Sequence, residues 1–74
     1  MDSKIIELIM KELDTRDKRY MFLKILFPAS LALINLEGSP KNVAWAMAQH
    51  FKNQGESAYQ VFSIAVTNSL ADNG

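Results

Sequence analysis

The chain reads as an all-α protein, a compact antiparallel bundle of five or six short helices, and three features of its 74 residues lead there. A complete helix is spelled between Ser39 and Gly55, with a cap, an apolar stripe and a stop in register. Elsewhere, apolar side chains recur at three- and four-residue spacing, and the links between these segments are shorter than about six residues. Stripes at helical spacing on short links are covered only by neighbouring helices, which selects a bundle.

The elements follow in order. Asp2 or Ser3 caps a first helix in which Ile5, Leu8, Ile9 and the Glu12-Leu13 step recur at helical spacing, while Lys4, Glu7 and Lys11 take the wet side. Glu7 and Lys11 stand four apart in the favourable order, worth about 0.3 kcal/mol. Asp14-Thr15-Arg16-Asp17 is a break and a new cap, because Asp and Thr side chains accept from freed backbone donors and Asp17 suits the positive end of a helix. The second helix then runs from Thr15 to about Phe27. Its later part, Tyr20 to Phe27, is apolar on all sides except at Lys24, so the helix is either central or leaves surface for a partner. A strand is disfavoured there, since the run is long and Ile25 is its only β-branched residue.

Pro28 ends that helix and opens a short third one, with Leu31, Leu33, Ile34 and Leu36 as its apolar side chains and an end near Glu37-Gly38. The fourth helix has Ser39 as cap, Pro40 in its first turn where the missing N–H has no partner to lose, and Gly55 as its left-handed stop. A fifth helix starts at Glu56 and Ser57. Ala58, Val61, Phe62 and Ala65 form its stripe, Tyr59, Val66 and Leu70 widen it, and Ala71 to Gly74 are expected to fray.

Composition bounds the function. The chain is one domain, residues 1–74, with 49% apolar residues, enough to fold. It has no cysteine, so neither a disulfide framework nor a thiolate zinc site is available, and the cytoplasm is the default compartment. No uninterrupted apolar run of about 18 residues predicts a membrane span. Eight basic and eight acidic side chains cancel, and they cancel within each half of the chain. That balance disfavours nucleic acid, which selects for an excess of Lys and Arg.

No pattern of residues spells catalysis. His50 is the only histidine, without a cysteine partner or a serine or carboxylate at motif spacing, and is taken as structural or solvent-exposed. Glu7, Glu12, Asp14 and Asp17 lack the spacing of a di-iron helix pair or a calcium loop and are assigned to the solvated face and caps. The sequence thus implies no cofactor, metal or small-molecule substrate. Trp45 is either a core anchor or an interface hot spot. It lies off the stripe of Val43, Met47, Phe51 and Gln54 but near Ala44 and Ala48, and core packing is favoured because an indole buries so much area. Met21, Met47, Phe22 and Phe27 are likewise expected in the core.

The apolar first helix Ile5-Ile6-Glu7-Leu8-Ile9, the segment Arg19-Tyr20-Met21-Phe22-Leu23, the stretch from Trp45 through Phe51, and Asn53-Gln54-Gly55 with the helix after it resemble the effector-associated domains of bacteria. These are small modules of death-like fold, similar to caspase-recruitment and death domains. Phe27-Pro28 falls later than the family's early Phe-Pro, and Thr67-Asn68-Ser69 stands where an asparagine-proline ending is usual. The resemblance implies recruitment through like-with-like contacts, bringing together a protease, a pore-former or a nucleotide-sensing ATPase in defence or stress signalling, with no chemistry of its own.

The expected function is therefore a cytosolic adaptor that binds a related helical domain. Arg16, Asp17, Lys18 and Arg19 are the candidates for one charged face, and Glu37, Lys41 and Glu56 for its complement. Such pairs select orientation more than they add affinity. Two alternatives stand beside it. One is a helix-turn-helix regulator with Gly38 or Gly55 in the turn, although the helix after Gly55 carries no Arg or Lys to grip phosphate; the other is an accessory subunit or inhibitor of an enzyme.

Overall fold

The structure, a computed structural model, describes the backbone of residues 3–72 and the side chains of residues 3–68. It is all-helical among those residues, with α1 (Ser3–Glu12), α2 (Arg16–Leu26), α3 (Pro28–Leu31), α4 (Pro40–Asn53) and α5 (Glu56–Asp72). Asp2 and the side chain of Leu70 lie outside the described residues. So do Asn73 and Gly74, while Ala71 and Asp72 continue α5. No described helix is long and apolar enough to cross a membrane.

Helix boundaries follow local chemistry. Thr15 is extended (φ −120°, ψ 158°) and its hydroxyl accepts from the Lys18 N–H, which fixes the start of α2. Pro28 stops α2: the chain turns at Phe27 (φ −138°, ψ 59°), whose N–H still closes the last turn on the Leu23 carbonyl at 2.7 Å. Ser39 caps α4 by accepting from the Asn42 N–H, and Gly55, at φ 118°, turns the chain between α4 and α5. The Gly55 carbonyl at once accepts from the Tyr59 N–H, so one residue closes one helix and opens the next.

The third helix is shorter than its sequence suggests. It makes a single turn, Pro28–Leu31, and does not reach Glu37-Gly38. Asn35 Oδ1 captures the Glu37 N–H at 3.0 Å, a local bond that competes with helix. Ile34 and Leu36 are buried while Leu33, Asn35 and Glu37 face out, the two-residue alternation of extended chain. The chain is then turned into α4 at Gly38, with φ 115°.

Helices α1, α4 and α5 pack on one another, and α2 and α3 pack together as a second tier. Ala44 and Ala48 of α4 are fully buried, and their small side chains let neighbouring helices approach closely. The tiers are joined through rings: all four phenylalanines of the chain form one cluster, with Phe62 stacked on Phe51 at 4.3 Å between centroids, Phe27 against Phe51 at 4.8 Å, and Phe22 edge-on to Phe62 at 6.1 Å. Met47 and Phe22 are buried as expected. Met21 and Val61 are not: Met21 faces solvent on α2, and the buried face of α5 is centred on Phe62 and Val66 rather than on Val61.

Candidate interaction surfaces

The charged residues singled out from sequence separate into four groups, of which buried Arg19 is the last. Arg16 Nε lies 2.9 Å from Glu37 Oε1, so one member of each expected face is already paired with the other inside the molecule. Lys18 Nζ holds Asp14 Oδ1 at 2.9 Å, one turn away. That hydrogen bond and the lysine's charge keep the Asp14 carboxyl below the usual carboxylate range. Asp17, Lys41 and Glu56 are exposed and make no ion pair among the described residues.

Arg19 is a correction, because its side chain is buried and cannot form part of an exposed charged face. The physical reason lies at the end of α1, whose last carbonyls have no helical donor. Arg19 folds back to meet one of them, donating from Nε to the Leu13 carbonyl at 2.8 Å. Its Nη2 is buried without a hydrogen-bond partner among the described residues. The arginine therefore ties α2 to the end of α1.

His50 sits half-buried near the end of α4, with Nε2 3.0 Å from Ser30 Oγ and 3.0 Å from the side-chain nitrogen of Gln54. Ser30 is buried in α3, twenty residues away. The contact latches the short helix to α4. Among the described residues no carboxylate orients the other ring nitrogen and no three potential metal ligands converge.

The apolar surface is more distinctive than the charged one. On α2, Tyr20, Met21, Ile25 and Leu26 are exposed, and Met21 and Ile25 stand one turn apart, so the exposure is contiguous along the helix. Beside it, Leu26, Pro28, Phe51, Ala58 and Val61 line a groove of about 390 Å³. A second groove, of about 470 Å³, runs between α1 and α4 and is lined by Ser3, Ile6, Glu7, Met10, Lys41 and Trp45. Trp45 is 42% exposed there, not in the core position that its area favoured. Its place off the Val43–Met47–Phe51 stripe is the sequence signal for this. Glu7 and Met10 carry no such signal, since each reads singly as an ordinary surface residue.

In comparison with known proteins, no family model, no curated protein and no solved structure matches the chain.

Proposed function

We propose that the chain is a non-catalytic recruitment domain, an adaptor that binds another helical protein through its exterior, in the first place a copy of itself or a close relative. On this reading the five helices are an antiparallel, death-like bundle of the effector-associated kind, working in the cytoplasm in bacterial defence or stress signalling. The observation that carries it is apolar exposure in excess of the core. Fifteen described hydrophobic side chains already fill the interior, yet Tyr20, Met21, Ile25, Leu26 and Trp45 remain at least 38% exposed. Single exposed hydrophobics are ordinary, whereas a contiguous stripe along one helix and a tryptophan at a groove mark surfaces that exclude water when a partner arrives.

Sedimentation of the purified protein from about 10 µM to about 1 mM tests the reading, a range chosen for the weak association that a small interface gives. The expected result is a mass that rises with concentration. A monomer throughout, together with salt-dependent binding to random duplex DNA, would replace the adaptor with the regulator.

A further inference from the structure

The geometry points to the groove between α1 and α4 as the seam of a two-fold symmetric homodimer, with Trp45 of each copy seated against Ile6 and Met10 of the other. This inference rests on the homotypic reading above and names its surface.

The groove is apolar at its floor and polar at its rim. Ile6 is almost fully buried, Met10 and Trp45 are 36% and 42% exposed, and Glu7 and Lys41 flank them. Glu7 and Lys41 are both exposed, and neither makes an ion pair among the described residues. That combination selects the occupant. A peptide or ligand of one charge sign would satisfy one rim residue and oppose the other, whereas a second copy presents both signs in the required order. A two-fold axis makes every contact twice, residue i on j and j on i. It therefore places Glu7 of each copy beside Lys41 of the other, and both rim charges are met.

Size is consistent with such a pairing. A standard interface takes about 800 Å² from each partner, and the molecule exposes 4626 Å² in all. One face of a body 30 × 23 × 23 Å across can supply that much, but little more. Area alone does not set the affinity of such a dimer: its central aromatic anchor governs it, with the two rim pairs fixing register and excluding wrong partners.

Trp45 is the only tryptophan, so its emission reports this contact directly. Fluorescence and sedimentation of one dilution series should move together, with a blue shift as the dimer forms. Trp45→Ala should raise the dissociation constant at least about tenfold, the effect of removing a buried aromatic anchor. Glu7→Lys and Lys41→Glu should each dissociate the dimer, because each sets like charges together twice. Mixing the two variants one to one should restore it. In a mixed dimer one protomer carries lysine at both rim positions and the other carries glutamate at both, so each rim contact again joins opposite charges. Far-UV circular dichroism on each variant establishes that it is folded, and recovery in the mixture excludes misfolding as the cause of dissociation. If wild type self-associates with an unchanged Trp45 spectrum, or the mixture behaves like its components, the seam lies elsewhere and only this inference is overturned. If wild type stays monomeric to about 1 mM, the homotypic reading falls with it.

Discussion

Replacing Phe62 tests whether the aromatic cluster joins the two tiers of the fold. Its ring is fully buried, stacked on Phe51 at 10° between planes and edge-on to Phe22 and Phe27 at 6.1 and 6.2 Å. Truncating a buried phenylalanine to alanine costs about 3–5 kcal/mol. A chain of 74 residues has roughly 4–11 kcal/mol to lose, at about 0.05–0.15 kcal/mol per residue. Phe62→Ala therefore removes about a quarter or more of the stability. Phe62→Leu keeps most of the volume and should cost about 1–1.5 kcal/mol, lowering the urea midpoint by roughly 1 M at a slope near 1 kcal/mol per molar. Far-UV circular dichroism is the assay, because Trp45 is too exposed to report on the core. A cycle of Phe62→Leu with Phe51→Leu should show a coupling of about 0.5–1.5 kcal/mol, the worth of a ring pair beyond its area. Strict additivity, with a Phe62→Ala midpoint within about 0.5 M of wild type, would refute the claim that these rings hold the tiers together.

Two further predictions concern the links between helices. Gly55→Ala should destabilise by about 1–2 kcal/mol, read as a fall of roughly 4–8 °C in Tm per kcal/mol. The cost is backbone strain alone, since φ is 118° and an added Cβ would touch nothing, so D-alanine introduced by synthesis should leave Tm unchanged or raise it. For Asp14, whose carboxyl is held low chiefly by its hydrogen bond to Lys18 and by that lysine's charge, the folded state releases the proton more readily than the unfolded chain. Its small contribution is thus complete above the unfolded value, near pH 3.9, and is lost as pH falls through the folded value. A carboxyl titration by NMR should place Asp14 below the ordinary value and move it upward in Lys18→Met; an identical titration in both proteins would remove Lys18 as the cause.

Much of the backbone is legible in the sequence because helix ends are local events. Ser39, Pro40 and Gly55 act on their own turns, and Thr15 and Pro28 likewise bound α2. The third helix is overdrawn by its sequence because Leu33, Ile34 and Leu36 satisfy either a helical or an alternating pattern, and a single side-chain bond from Asn35 makes the choice. Trp45 shows a competition between two sound arguments. Its phase on α4 points outward, its area argues for burial, and phase wins: the buried face of α4 is made by Val43, Ala44, Met47, Ala48 and Phe51, and Trp45 lies off it. Charge partners are not legible at all. Arg16 finds Glu37 twenty-one residues away only after α2 and the segment following α3 are placed, and Arg19 is drawn inward by a carbonyl that exists as an open acceptor only where α1 stops.

The two tiers give the proposed adaptor something a single bundle face would not. The outward stripe of Tyr20, Met21 and Ile25 belongs to α2, in the tier held by ring contacts, by Arg19 on the Leu13 carbonyl and by the Ser30–His50 latch. The Trp45 groove belongs to α1 and α4, which pack directly on each other. A recruitment module has to hold its own kind and still present surface to what it recruits. If copies pair through the groove, every dimer displays two α2 stripes, and a partner that engages both gains avidity set by their fixed separation rather than by any new contact. Where that pairing is weak, the dimer forms only where copies are concentrated, and the second contact strengthens sharply there.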